Sequence, residues 1–128
     1  MISLNEAFGA SEQSSVQVLT VYVPNKDRDG KELSDQHEWI RKVADLLARI
    51  GGGVTIMPPV EGGWLREDGV IIWEQPVLVY TYIKADAFEE HLPQLRRLLH
   101  RMGRETNQGE IAVEFDRVFY RIQRYDEE

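Results

Sequence analysis

The chain of 128 residues contains no cysteine. That absence excludes disulfide staples, thiolate metal sites and a cysteine nucleophile. Long apolar runs are missing too: no stretch approaches the roughly 20 residues that span a bilayer as a helix. Positive charge is scarce, with 15 Lys and Arg against 22 Asp and Glu and a formal net charge of −7. A general nucleic-acid binder carries a basic patch, so neither nucleic acid nor membrane is expected as a partner. Residues 1–15 lack the basic start and apolar centre of a secretory signal, and the expected location is the cytoplasm. Prolines number only five, and they punctuate the pattern: Pro24, Pro58, Pro59 and Pro76 flank strand-like runs, while Pro93 falls inside a helical one.

What is present is ordinary globular chemistry. Apolar residues make up 42% and charged residues 29% of the chain, near the averages for folded domains. The length fits one domain. It divides into a flexible lead-in over 1–15, a domain over 16–122 and a charged tail over 123–128 that is expected to fray.

Val16 to Val23 is dense in β-branched and aromatic residues and reads as a strand covered on both sides. Ser34 reads as the N-cap of a helix whose stripe is Trp39, Val43, Leu46, Leu47 and Ile50. Gly51-Gly52-Gly53 stops it. Val54 to Met57 is a short strand. Asp68-Gly69, between Val60–Glu67 and Val70–Glu74, signals a hairpin. Val77 to Ile83 is a second central strand. Asp86 to Met102 reads as the second helix, with Asp86 and Glu89 at capping-box spacing and Gly103 as its C-cap. Pro93 either kinks that helix or marks its regular start near Leu92. Ile111 to Phe115 and Val118 to Ile122 form a hairpin turning at Asp116-Arg117.

The order β-α-β-β-α-β, with an extra hairpin and a C-terminal strand, is that of an α+β ferredoxin-like sandwich. It places two helices on one face of an antiparallel sheet. Two helices shield one face, yet the central strands are apolar on both. Uncovered, the far face would expose a patch of the kind that marks an interface. A homo-oligomer through the sheet face, lined by Tyr22, Tyr80 and Tyr82, is therefore expected.

Three segments carry a family resemblance: Gly51–Met57, reading G-G-G-V-T-I-M; Gly63–Gly69 with the Trp73-Glu74 that follows; and Gly103–Glu110. The arrangement resembles small uncharacterised bacterial proteins of ferredoxin-like fold. It is also distantly similar to PII-like signalling proteins, whose second helix often has an early proline, as with Pro93. The resemblance covers roughly residues 16–122 and implies the fold and a tendency to oligomerise. PII proteins bind nucleotides between the subunits of a trimer, with basic and glycine-rich elements. Here a short Asp68-Gly69 hairpin stands where their long loop would be, and no basic cluster sits where phosphates would be held. No ligand residues carry over.

Candidate chemistry is sparse. Trp64 and Arg66 fall on one face of a strand and can stack on and pair with a planar or anionic ligand, or simply pack. Glu105, Asn107 and Gln108 follow a helix end, where they can bind a polar ligand, with Glu105 as a base, or satisfy turn backbone. His37, His91 and His100 lack helical metal spacing and read as solvated. Glu61, Glu67, Asp68 and Glu74 match no cation loop. Arg96, Arg97, Arg101 and Arg104 crowd the second helix. No G-x-S-x-G elbow and no phosphate loop occurs, and no cofactor is called for. The reading that follows is a non-catalytic, oligomeric module binding a small polar or anionic ligand or a protein partner. Its rivals are a small enzyme of the dimeric α+β barrel type, with a cleft near Arg66 and Glu105, and an acidic, antitoxin-like inhibitor of a basic protein.

Overall fold

Two β-branched runs form the centre of the sheet in the computed structural model, which describes residues 2–83 and 88–127. β1 (Gln17–Val23) and β5 (Val77–Ile83) pair antiparallel along their whole length, Gln17 opposite Ile83 and Val23 opposite Val77. β2 (Thr55–Ile56) flanks β5, β6 (Ile111–Phe115) flanks β1, and β7 (Val118–Ile122) lies outside β6. The order is β2-β5-β1-β6-β7, and every pairing is antiparallel.

β1 and β2 both oppose β5, so they run parallel to each other and need a crossover. α2 (Gln36–Gly51) supplies it, and α3 (Leu92–Glu105) does the same between β5 and β6. Both helices pack on one face of the sheet. This is the ferredoxin-like α+β arrangement expected from the element order. β7 extends it through a two-residue turn with Asp116 at φ 48° and Arg117 at φ 74°, the left-handed pair that suits the twist of a tight hairpin.

Burial follows the strand alternation. Leu19, Val21, Val23, Val77, Val79, Ile83, Ile111 and Val113 point toward the helices and are buried. They meet Trp39, Val43, Leu46, Leu47 and Ile50 of α2 and Leu95, Leu99 and Met102 of α3. Val18, Thr20, Tyr22, Leu78, Tyr80, Tyr82 and Phe119 point the other way, and none of them is buried. Tyr80 and Tyr82 meet edge to face at 5.7 Å between ring centroids, as do Tyr22 and Phe119 at 6.2 Å. Residues 2–16 bury no side chain, although Leu4–Phe8 forms a short α1 capped by Ser3, whose hydroxyl accepts from the Glu6 N–H at 3.2 Å.

Several local expectations need correction. The N-cap of α2 is Asp35, not Ser34, and its carboxylate accepts from Trp39 Nε1 at 3.1 Å instead of capping the backbone. Asp86, read as the start of the second helix, lies outside the described residues. The regular helix begins at Leu92 after a 3₁₀ turn over Glu89–His91, and Pro93 sits in its first turn. There its missing N–H costs nothing, so the helix has no need to kink. α3 also runs past Gly103 to Glu105. Gly103 is required for another reason: a Cβ there would stand 2.1 Å from the Tyr125 ring.

That contact belongs to a docked tail, where fraying was expected. Arg96 holds the Asp126 carboxylate with Nε at 2.7 Å and Nη2 at 3.0 Å. His100 is buried, not solvated, and its Nδ1 accepts the Asp126 N–H at 2.8 Å. The Arg96 guanidinium, chiefly, holds the Asp126 carboxyl below its usual range.

Candidate ligand cleft

The long β1–α2 connection, the base of the residue 62–74 hairpin and the α3–β6 loop meet at one end of the sheet. Each is pinned by hydrogen bonds traceable to its sequence. In the first, Asp27 Oδ1 accepts from the Asp29 N–H at 2.8 Å and the Lys31 N–H at 3.0 Å. This Asx-type closure holds the Asp27 carboxyl below its usual range, the Lys31 bond contributing most. Lys26 and Glu32 bridge across the same loop. Asn25 Oδ1 accepts the Gln75 N–H at 2.8 Å, tying that loop to the exit of the hairpin.

The third element is tied in by Gln108. Its side chain is 6% exposed. Nε2 donates to the Lys26 carbonyl at 2.8 Å and to the Thr106 carbonyl at 3.2 Å. The backbone carbonyl of Gln108 accepts from Arg28 Nη2 at 2.7 Å and from the Tyr125 hydroxyl at 2.9 Å. Removing such a side chain would leave buried carbonyls without donors. Gln108 thus positions Lys26 from beneath, and the docked tail positions Gln108.

Above this frame lies an open cleft of about 450 Å³. Lys26, Glu32, Glu61, Trp73 and Glu74 line it, together with Asn25 and Gln75. Pockets of roughly 300–1,000 Å³ are the size that takes a small ligand. Trp73 lends an indole that is 60% exposed. Glu74 is half-buried on β4 (Ile71–Glu74), the second strand of the hairpin that begins with β3 (Gly62–Leu65). Burial raises its pKa, Lys26 pulls it back, and Glu110 pushes it up further. A carboxyl so placed can hold a cation or pass a proton, and the Trp73 ring, which leaves the opposite face of β4 and also lines the cleft, can stack on a flat group.

The residues singled out from sequence fall in two places. Trp64 is half-exposed on β3, and Arg66, just past the strand end, turns back onto Asp68 with Nε at 3.0 Å from Oδ1. Glu105 ends α3 in an ion pair with Arg101 at 2.9 Å. Asn107 adopts φ 52° and donates from Nδ2 to Asp29 Oδ2 at 3.3 Å. Among the described residues no hydrogen bond or ion pair joins Trp64 or Arg66 to Glu105, Asn107 or Gln108. Of these five, among the described residues, Gln108 is the one with a hydrogen bond to a residue of the cleft wall.

Sequence reasoning treated Trp73 and Glu74 as hairpin residues and passed over Lys26. The available signal was an acidic residue in an otherwise apolar run, Ile71-Ile72-Trp73-Glu74, at the root of a hairpin.

No protein-family model and no curated protein sequence matches the chain. Solved structures do. A phage SAM lyase in complex with S-methyl-5'-thioadenosine superimposes with a TM-score of 0.63 at 14% identity, over 89% of this chain and 95% of the lyase. A phage SAM lyase in the apo state gives 0.60 at 14% identity, over 91% and 98%. A divalent cation tolerance protein from Thermus thermophilus gives 0.46 at 21% identity, over 66% and 72%. At these identities the likeness to the lyases is one of fold, and the class it defines is the small ferredoxin-like α+β protein.

Proposed function

We propose that the protein is an oligomeric small-molecule-binding module whose ligand occupies the Trp73–Glu74 cleft. One observation carries this: a half-buried carboxyl, its pKa raised by burial, and a solvent-facing indole both line one cleft of about 450 Å³. Burying an acid costs stability, and an indole left in water forgoes burial. A ligand that stacks on the ring and engages the acid offsets both. Self-association belongs to the same reading. The sheet back, with Tyr22, Tyr80 and Tyr82, is an uncovered apolar patch of the kind found at interfaces.

The charges select the ligand class. Glu32, Glu61 and Glu74 oppose Lys26 alone in the cleft wall, which favours a neutral or cationic ligand over the anionic one that Arg66 suggests. A purine nucleoside carrying a thioether or sulfonium has the required parts, a flat ring and a soft, partly or fully positive sulfur. The phage lyases of the same fold make S-methyl-5'-thioadenosine and SAM the first probes. Calorimetric titration tests the reading: both should bind, Trp73→Ala should abolish binding, and Glu74→Gln should weaken SAM more than the uncharged thioether. Binding that survives Trp73→Ala, or no binding of either probe, would sink it.

A second reading places catalysis in the same cleft. It is favoured by the raised pKa of Glu74, which moves the carboxyl toward the range where a general acid or base works best. Its mark would be SAM breakdown by the wild type that Glu74→Gln removes without loss of binding to S-methyl-5'-thioadenosine.

A further inference from the structure

Four arginines crowd α3, and the structure divides them. Arg96 and Arg104 hold the tail at Asp126. Arg97 and Arg101 instead line an open groove of about 500 Å³ between α3 and α2, and Arg41 and Lys42 of α2 line it with them. Leu46 and Leu98, buried and half-buried, give it a little apolar wall. The groove shares no residue with the Trp73–Glu74 cleft.

Four cations thus converge in a chain whose net charge is −7. Asp45 is the one acid among the lining residues, and Arg49 already holds it at 2.9 Å. Arg101 is paired with Glu105 at 2.9 Å, and the Lys42 ammonium lies 4.6 Å over the Trp39 ring. Among the described residues, the Arg41 and Arg97 side chains make no hydrogen bond, ion pair or ring contact. Arg97 and Arg101 stand one helical turn apart, a spacing at which like charges repel. The chain has 22 acids and sets one of them in this groove, so the positive field there is left for a partner to meet.

The lining selects among negative partners. From Gln94 to Arg101 the α3 wall rises about 10 Å, with the α2 cations on the other wall. A compact anion meets one or two of these charges at once, whereas an extended one meets all four. Single-stranded nucleic acid needs aromatic faces for its bases, and the groove offers none: the Trp39 ring is 3% exposed. A duplex carries its phosphates well past the groove, onto a chain of net negative charge. A peptide fits both features, because its carboxylates match the arginine forks and its apolar groups match Leu98.

We propose that the α2–α3 groove docks a short acidic helix of a partner protein, its carboxylates repeating at one-turn spacing to meet Arg97 and Arg101 on one wall and Arg41 and Lys42 on the other. Helix-in-groove recognition is usually read by apolar anchors. Here charge takes most of that role.

Fluorescence anisotropy with labelled peptides tests this on the full chain. One probe is an Ala-rich peptide with glutamates at i, i+4 along one helical face. A second has the same composition with its glutamates scattered around the helix. Wild type should bind the first, more weakly as salt rises, and prefer it to the second. Arg41→Glu/Arg97→Glu should bind it at least about tenfold more weakly, since two attractive pairs become repulsive. Arg117→Glu/Arg124→Glu makes the same change in net charge at positions that do not line the groove, and should bind as wild type does. All four positions are exposed, so both variants should fold, which circular dichroism checks. Equal loss in the two variants would overturn the proposal, because net charge alone would then explain binding. Equal affinity for the two peptides, or no binding of either, would also overturn it. Tighter binding of an oligothymidylate of the same charge, lost in the groove variant, would overturn it in favour of nucleic acid. A groove variant that is monomeric by light scattering where wild type is oligomeric would overturn it too, since the acids facing the groove would then belong to a second copy.

Discussion

The two faces of the sheet are built from the same strands and end in opposite circumstances. On the front, Leu19, Val21 and Val23 of β1 alternate with buried Val77, Val79 and Ile83 of β5 beneath two helices. On the back, Val18, Thr20 and Tyr22 face Leu78, Tyr80 and Tyr82; none of them is buried, and no helix among the described residues packs over them. Both sides are largely apolar, so hydrophobicity alone does not distinguish the buried face from the open one. Size and polarity do. The front is aliphatic and can be closed to water by Leu and Val. The back is rich in tyrosine, whose ring buries well and whose hydroxyl tolerates water. That combination suits a face that meets water and, in the reading proposed above, a partner.

Truncating one buried residue of the front layer and one exposed residue of the separate β3–β4 hairpin should give the widest contrast between closed and open parts of the molecule. Leu47→Ala, at a fully buried position, should cost about 2–5 kcal/mol of unfolding free energy through lost burial and a residual cavity. Leu65→Ala, at a position 70% exposed, should change the stability of the isolated subunit by less than ~0.5 kcal/mol. Chemical denaturation of dilute protein measures both. A large loss at Leu65 under dilution would mean that the hairpin packs within its own chain and that the contrast is false. A loss that grows with protein concentration would mean that the residue works between copies.

A smaller effect is expected at the seam where the front layer meets the sheet. Gly51 ends α2 directly over β5, where a Cβ would fall 1.9 Å from Thr81 Oγ1 and 2.7 Å from the Tyr82 carbonyl oxygen. Gly51→Ala must therefore push the helix end off the strand, at a cost of about 1–3 kcal/mol as overpacking. Gly53, with nothing within 4 Å of its Cβ position, should accept alanine with little change. Thermal melts of the two variants check the pair, and equal melting temperatures would refute the close approach.

Much of the frame was legible because it depends on periodicity. The α2 stripe from Trp39 to Ile50, the two central strands and the Asp116-Arg117 turn each follow from local rules that tertiary packing did not override. The uncovered back was legible for the same reason: two stripes of helix can cover only one face. What escaped was set by contacts distant in sequence. One local detail escaped as well: Asp35 stands at the cap position where Ser34 was expected, and its carboxylate accepts from the Trp39 indole four residues on. Gly103 looks like a helix stop, yet it is there for Tyr125, 22 positions on in this numbering. The tail looks frayed by composition, and Arg96, His100 and Arg104 hold it. The cleft escaped most fully. Lys26, Trp73 and Glu74 are brought together only when three connections converge, and no spacing along the chain announces that.

The least of the expected effects tests the cleft as the place where the exposed side of the molecule does chemistry. Burial comes first among the causes that raise the pKa of Glu74, with the Glu110 charge adding to it and Lys26 opposing both. A carboxyl whose folded pKa exceeds its unfolded value binds protons more tightly when folded, so stability falls as pH rises through that interval. Below the unfolded value, about 4.3, both states are protonated and no penalty exists. Above the folded value the penalty is complete. Glu74→Gln carries no such penalty, so the variant should be the more stable of the two at about pH 7 and lose that advantage as pH falls toward ~3. The gain should stay well under ~1 kcal/mol, because the group is half-exposed and solvent screens its charge. Thermal melts across pH read the difference between the two proteins directly. A variant less stable than wild type at neutral pH would show that Lys26 outweighs burial, making the carboxylate a structural partner and removing the motive for placing a ligand beside it.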